Sequence, residues 1–299
     1  MNLINKSFEA FLDQVVKEER DAGHDSTKGT LGICAVDTSG VVKQAADAEG
    51  LFHIQSVSKP LALALALEDR GAEEVFRHVG KEPNGDPYHS IAALEENHKG
   101  FASNPMITAG AIAVTGMING SDGEERFSRL REFVRSLASN PKIDYDPAML
   151  KGDSLDLHRA LFYYMRDHGV VKGNEEDTVL VYARQTALTM SCIDLGRIAA
   201  VLANKGRVPG SNHQLIKEEN VRIVLTVMFL TGMYEASGRY AVDVGIPSKS
   251  GVSGAIMAVV PGRMGFGVMS PTLDSAGNSI AGVRMLGKVA RHWKLSVFS

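Results

Sequence analysis

Ile54-Gln55-Ser56-Val57-Ser58-Lys59-Pro60 joins a strand-like segment to an apolar helical run. Proline is tolerated in the first turn of a helix, where its missing N–H loses no partner, so Pro60 sets the helix start just before itself. Ser56 and Lys59 are three apart and share one face of that turn, whereas Ser58 points elsewhere. A serine hydroxyl becomes a nucleophile when a base lies within hydrogen-bond reach. A lysine amine can be that base once burial and the positive end of a helix lower its pKa. Taken alone, the same spacing also fits an N-cap serine beside a solvated lysine.

A second motif supplies context. Lys249-Ser250-Gly251 lies far downstream on a segment that reads as a strand. A Ser-x-x-Lys turn followed by a Lys-[Ser/Thr]-Gly strand resembles the arrangement in β-lactamases and penicillin-binding proteins. A strand edge beside the nucleophile offers one backbone N–H to an oxyanion, and the N–H of Ser56 offers another. An ordinary turn is the other reading of Lys249-Ser250-Gly251.

Around these motifs the pattern alternates between strand and helix. Phe8, Phe11, Leu12, Val15 and Val16 predict an amphipathic helix over 5–20, followed by a polar loop over 21–29. Thr30 to Val36, the turn Asp37-Thr38-Ser39-Gly40 and Val41 to Ala46 predict a hairpin. Helices are expected over 60–70, 107–118, 124–138, 155–168, 191–204 and 218–232, with Asn140-Pro141 and Pro147 as interruptions. After Gly245-Ile246-Pro247, the runs Ala255 to Val260 and Gly265 to Met269 flank Pro261-Gly262 as a second hairpin, and Val283 to Trp293 ends the chain as a helix. Strands at both ends with helices between them predict one composite α+β unit over 1–299. Its sheet comes from about 29–55 and 245–299, and a helical lobe from about 56–244. No Gly/Ser- or Pro-rich linker divides the two, so a site belongs in the cleft between sheet and lobe.

Composition narrows the function classes. A chain of 299 residues with 44% hydrophobic and 22% charged residues has the make-up of a soluble globular protein and can bury a sizeable core. Its 32 basic and 35 acidic residues leave a net charge of -3, and aromatics are only 6%, which argues against nucleic-acid binding. The longest apolar runs, Leu61 to Leu67 and Met106 to Ile118, are shorter than the ~18 residues of a membrane span. Met1 to Asp13 carries Lys6, Glu9 and Asp13 within its apolar pattern and does not read as a secretory leader. Cys34 and Cys192 match no metal or redox spacing and sit among apolar residues, so they read as two buried free thiols in a reducing cytoplasm. His89, His98, His168 and His213 show no ligand spacing, and His53 reads as a strand-end packing residue, so no metal site is expected.

From about Leu31 to Phe298 the chain resembles the serine-dependent glutaminases, which have the serine β-lactamase-like (penicillin-binding-protein-like) fold, a central antiparallel sheet flanked by helices with a helical lobe. The segments that carry the likeness are Gln55 to Pro60; Val79-Gly80-Lys81-Glu82-Pro83-Asn84-Gly85-Asp86-Pro87; Asn104-Pro105-Met106-Ile107-Thr108-Ala109-Gly110-Ala111-Ile112; Gly232-Met233-Tyr234; Val244 to Val252; and Ser270-Pro271-Thr272-Leu273-Asp274. The resemblance implies hydrolysis of L-glutamine to glutamate and ammonia without metal or cofactor. It makes Ser56 the nucleophile, Lys59 its base, and the backbone of Ser56 and Val252 the oxyanion hole. Tyr234 would contact the nucleophile and relay protons, and Tyr182, counted with it among the catalytic residues, would line the pocket. Gln55, Asn104 and Lys249 join Tyr182, Tyr234 and Val252 as substrate-binding positions. A tyrosine normally ionises at about 10, so a relay role calls for Lys59 or Lys249 nearby to lower it; packing with the hydroxyl tied to the backbone is the alternative for both tyrosines. Relatives are homodimers or homotetramers, and the resemblance implies the same.

The recognition half of the pocket departs from the family pattern. The Tyr-Ile-Pro that precedes the family's first strand has no counterpart in Glu18 to Lys28. The family glutamate that takes the substrate α-ammonium falls on Lys151, and the asparagine that helps hold the amino-acid end falls on His158. An ammonium in place of a carboxylate repels the group it should hold. One reading is weak action on free L-glutamine, with preference for an amide whose α-amine is absent or blocked. The other is that Asp153 or Asp156 restores the contact and the protein is an ordinary glutaminase. A different class of function, a silent relative that binds a small amide as a sensor or partner, is disfavoured by the retained Ser56 and Lys59. A β-lactam-binding relative is disfavoured by the cytoplasmic reading.

Overall fold

The structure, a computed structural model, describes residues 6–23, 31–96, 100–151 and 154–299. Helix α1 (Lys6–Asp21) precedes the hairpin of β1 (Gly32–Asp37) and β2 (Val42–Ala46), and the short strand β3 (Phe52–His53) leads into a 3₁₀ turn, Gln55–Ser58. The helical stretch follows as α2 (Lys59–Val75), α3 (Ala92–Glu96), α4 (Thr108–Met117), α5 (Gly123–Ala138), α6 (Pro147–Lys151), α7 (Asp156–Asp167) and α8 (Glu176–Thr186). Beyond the short strand β4 (Thr189–Met190) come α9 (Cys192–Ala203), α10 (Glu218–Thr231) and α11 (Ser237–Asp243). The chain closes with β5 (Ser248–Ser250), β6 (Ala255–Val260), β7 (Met264–Met269) and α12 (Ile280–Trp293).

Five strands form one antiparallel sheet in the order β2-β1-β7-β6-β5. The two expected hairpins are therefore adjacent, joined where Gly32 of β1 pairs with Met269 of β7. Side chains alternate across a strand, and the sheet separates two apolar layers accordingly. Ile33 and Ala35 on β1, Ile256 and Ala258 on β6, and Phe266 and Val268 on β7 pack with α1 and α12 through Phe8, Leu12, Met285 and Leu286. Cys34, Val36, Met257 and Val259 face the helical side with Leu195, Ala199 and the α2 residues Leu61 to Leu67. With both faces covered, β1, β6 and β7 are buried at every position, which is why they read as unbroken apolar runs.

Helix α9 lies directly on the sheet, and β7 is shaped for it. A Cβ on Gly267 would sit 2.1 Å from the carbonyl oxygen of Cys192, and one on Gly265 2.3 Å from the backbone of Ala199. Only a bare backbone lets helix and strand approach this closely. The helix starts with a capping box, in which Ser191 Oγ accepts from Asp194 N–H at 3.2 Å and Asp194 Oδ2 accepts from Ser191 N–H at 2.9 Å. On the opposite face, the buried Glu19 of α1 accepts from Arg284 Nε at 3.0 Å and Lys288 Nζ at 2.6 Å, tying the first helix to the last.

The expected helices all form, and α2 starts at Lys59, one residue before Pro60. It runs to Val75, past the expected end, through Gly71 at φ 76. Ser56 stands on the 3₁₀ turn ahead of it; residues three apart eclipse in such a turn, so Ser56 and Lys59 still share a side. Helix α8 was not expected. Its buried face includes Thr178 and Gln185, which interrupt the apolar spacing by which a helix is recognised. The first strand begins at Gly32; residues 24–30, most of the expected loop, and Asp153 lie outside the described residues. No helix among the described residues is long and apolar enough to cross a membrane.

Candidate active site

Two short turns, one from each half of the chain, meet at the end of the sheet. The first, Gln55–Ser58, opens with Gln55 at φ 44, and the second, Tyr234–Ala236, opens with Tyr234 at φ 53. Left-handed conformations in residues other than glycine cost of order 1 kcal/mol or more and persist where the surroundings enforce them. The first turn is held from inside. Ser58 Oγ donates to the Gln55 carbonyl at 2.7 Å, Gln185 Nε2 reaches Ser58 Oγ at 3.4 Å, and Thr115 Oγ1 donates to Gln185 Oε1 at 3.1 Å. Ser58 and Gln185 thus lock the turn that presents Ser56.

Strand β5 abuts this turn because Gly251 follows it. A Cβ there would lie 2.9 Å from the carbonyl oxygen of Ile54 and 3.3 Å from Val57 Cγ2. The Lys249-Ser250-Gly251 strand is therefore beside Ser56, and the partly buried Val252 follows at the turn into β6. Ser56 is 7% exposed and lies close enough to the Tyr234 hydroxyl to lower its pKa. The Tyr234 hydroxyl also donates to the carbonyl oxygen of Ser250 at 3.0 Å. Lys249 Nζ donates to the same carbonyl and sits 4.2 Å from the centre of the Tyr234 ring.

The two lysines are buried and differ in cause. Burial alone lowers Lys59 to about 7, so its amine is half-neutral near physiological pH, and Lys59 Nζ donates to the carbonyl oxygen of Met106 at 3.0 Å. Burial and then the Lys59 charge push Lys249 well below the ordinary lysine value. Tyr234 goes the other way. Burial raises it above the ordinary tyrosine value, and the neighbouring Ser56 hydroxyl offsets this only in part. The nearby lysines do not make it a phenolate, so Tyr234 is a neutral hydroxyl able to donate one proton while accepting another.

Asn104 serves the backbone first. Its Oδ1 accepts from the N–H groups of Met106 at 3.0 Å and Ile107 at 3.2 Å, and its Nδ2 donates to the Glu82 carbonyl at 2.9 Å, leaving one amide hydrogen for a ligand. Through Met106 it also fixes the carbonyl that receives Lys59. A cleft of 290 Å³ opens next to Asn104 and Tyr234, lined further by Asp86, Tyr88 and Glu235, and neither Ser56 nor Lys59 reaches its wall. Tyr88 stands between: its ring is 4.8 Å from that of Tyr234 and 5.7 Å from Lys59 Nζ. Sequence reasoning did not single out Tyr88 or Gln185. The signal for Tyr88 was its place directly after the Glu82-Pro83-Asn84-Gly85-Asp86-Pro87 segment.

Tyr182, on α8, is 4% exposed and close enough to Tyr234 to influence its ionisation. Its ring is 5.2 Å from that of His158. Gln55, Ser56, Lys59, Asn104, Tyr182, Tyr234, Lys249 and Val252 are thus gathered around the two turns, with His158 at the edge. Lys151 is exposed at the end of α6. Asp156 points to solvent with its side chain 82% exposed and pairs loosely with Arg159 at 3.7 Å, so it does not take over the role of a pocket carboxylate. His53 contacts Asp146 at 3.1 Å instead of merely packing. Cys34 and Cys192 are buried free thiols, as expected; burial pushes Cys34 up to about 12 and Cys192 well above its ordinary value.

Comparison with known proteins bears on this arrangement. The family model described as glutaminase matches residues 24–298. The chain is 47% identical over 273 residues to the glutaminase of Shouchella clausii (strain KSM-K16), covering 91% of this chain and 88% of that one. It is 47% identical over 270 residues to the glutaminase of Geobacillus thermodenitrificans (strain NG80-2), covering 90% and 87%. A crystal structure of a Bacillus glutaminase superposes with a TM-score of 0.92 at 33% identity, covering 97% of this chain and 99% of that one.

Proposed function

The chain belongs to the glutaminase family, hydrolases that act on amides in a serine β-lactamase-like fold, and from that premise we propose that Ser56 hydrolyses the side-chain amide of L-glutamine or a related amide through an acyl-enzyme. One observation carries the reading: the hydroxyl of Ser56 stands beside that of Tyr234 in a site that also holds a buried amine, Lys59, lowered to about 7. Neutral Lys59 takes the Ser56 proton as Oγ bonds to the amide carbon. The N–H groups of Ser56 and Val252 receive the developing oxyanion. The C–N bond then breaks, and nitrogen leaves as ammonia with a proton returned by Lys59 or passed through the Tyr234 hydroxyl. Water deprotonated by the same amine attacks the ester, and the carboxylate departs as Ser56 regains its proton.

Lys249, Asn104, Gln55 and Tyr182 are the groups left to hold the substrate. Lys151 and His158 favour a second reading of specificity, in which free L-glutamine is gripped weakly and an amide without a free α-ammonium is preferred. We further infer that the sheet and the helices act as one composite unit, since β3 pairs with β4 and α9 is seated on β7. A cytoplasmic location is supported by the two buried free thiols. A homodimer or homotetramer rests on the family resemblance alone.

The test is covalent. An electrophilic glutamine analogue should add one adduct to the intact mass, mapped to Ser56 and lost in Ser56→Ala. Failure of a range of such reagents to modify Ser56, with no amide hydrolysed in a panel, would favour the amide-binding sensor instead.

A further inference from the structure

Tyr234 occupies a backbone conformation, φ 53, that a residue with a side chain adopts only when its surroundings impose it. Two polar side chains impose it. Ser237 Oγ accepts from the Met233 N–H at 3.1 Å and donates to the Tyr234 carbonyl at 2.7 Å. Asn278 Nδ2 donates to the Met233 carbonyl at 3.3 Å, in the peptide that joins Met233 to Tyr234, between the two peptides that Ser237 binds. Both are buried, Asn278 at 1% and Ser237 at 7% exposure.

Asn278 comes from a distant loop that is itself tightly wound. Asp274 Oδ1 accepts from the N–H groups of Ala276 at 3.0 Å and Asn278 at 2.9 Å, and the Asp274 N–H donates to the Asn278 carbonyl at 2.8 Å. The loop's bare Gly277, at φ 90, faces the site: a Cβ there would be 3.5 Å from Val252 Cγ1 and 3.7 Å from Tyr234 Cε2. One rigid loop thus touches both the tyrosine beside Ser56 and the residue assigned to the oxyanion hole.

We propose that Asn278 is a positioning residue for the hydrolysis, holding the peptide that enters Tyr234 so that the Tyr234 hydroxyl stays beside Ser56 and on the Ser250 carbonyl. It acts through Tyr234 and touches no reacting atom. Without its donor, Tyr234 is free to relax towards negative φ, which swings the ring and withdraws the hydroxyl. The inference rests on the role given to Tyr234 in the proposed function.

A double-mutant cycle on kcat and KM for L-glutamine tests it. Asn278→Ala lowers kcat roughly 10- to 100-fold, the scale of a small misplacement of a reacting group, with KM changed less than about threefold. In a Tyr234→Phe background the same substitution has less than about a twofold further effect, because the group it positions is gone. An equal loss of kcat in both backgrounds overturns the inference while leaving the Tyr234 role intact; undiminished kcat in Tyr234→Phe overturns both. If Asn278→Ala does not fold, the other clamp decides: Ser237→Ala lowers kcat and Ser237→Thr, which keeps the hydroxyl, restores it, whereas equal activity of the two overturns the inference.

Discussion

Lys59 lies close enough to Lys249 that its charge works against a proton on Lys249, and both side chains are buried. Two amines in one water-poor site cannot both be ammonium ions near neutral pH without a large electrostatic cost. Charge is thus rationed between a lysine on the turn that carries Ser56 and a lysine on the strand that flanks it. Whichever amine is neutral is available as a base, and the proposed mechanism gives that role to Lys59.

The pH dependence follows from the direction of that shift. Lys59 works as a base only when deprotonated, so kcat/KM should rise about tenfold per pH unit at acid pH and level off above its value of about 7. An arginine at this position cannot give up its proton, so Lys59→Arg should lower kcat by roughly 10³-fold. A profile flat from pH 5 to 9 would remove Lys59 from the role of base.

The same burial has a stability cost. The ordinary value for this amine is 10.5 and the folded value about 7, so between the two the unfolded chain binds the extra proton. Wild-type stability therefore climbs as pH rises from 7 towards 10.5, and the penalty is fully present at or below 7. Lys59→Met, which fills the same space without a charge, should be inactive yet more stable by ~2 kcal/mol at pH 7. The gain should fade towards pH 10.5 in thermal melts across that range; a constant or absent gain would show that burial of Lys59 is not what the fold tolerates for activity.

The seam between β7 and α9 admits no side chain. Gly267→Ala places a methyl 2.1 Å from the Cys192 carbonyl oxygen and should destabilise the fold by about 3 kcal/mol. Gly85→Ala, with nothing within 4 Å of the new Cβ, should stay within ~0.5 kcal/mol. Denaturant midpoints that do not separate the two variants would contradict the close packing.

Lys151 and His158 allow a gain-of-function test. The double variant Lys151→Glu/His158→Asn restores the family pattern at the amino-acid end, and KM for L-glutamine should fall about tenfold with kcat nearly unchanged, as expected when ground-state binding alone improves. An unchanged KM would show that these positions do not face the substrate. That result would fit the exposure of Lys151 at the end of α6.

The sequence made some of this legible for identifiable reasons. The hairpins of β1–β2 and β6–β7 show because turns, Asp37 to Gly40 and Pro261-Gly262, follow the apolar runs of β1 and β6, and β1, β6 and β7 are buried at every position. Ser56, Lys59 and the Lys249 strand show because their spacing is chemical. Tyr88, Gln185 and Asn278 do not, because each acts through a partner far away in the chain: Tyr234, Ser58 and Met233 respectively. No local pattern encodes a contact of that kind. The conformation of Tyr234 is equally silent in sequence, since nothing about Gly232-Met233-Tyr234 marks the last residue as left-handed.

The pairing of Gly32 with Met269 also sets a timetable. During synthesis β1 leaves the ribosome with only β2 as a neighbour, and the centre of its sheet does not exist until the last hairpin emerges. Closing so large a loop carries an entropic cost and slows folding. The turn that carries Ser56 is therefore made early and surrounded late: Lys249, Val252 and the Asn278 loop arrive together near the end of translation. A chain truncated before them carries Ser56 and Lys59 without the strand and loop that flank them, so on the proposed mechanism incomplete products should hydrolyse no amide.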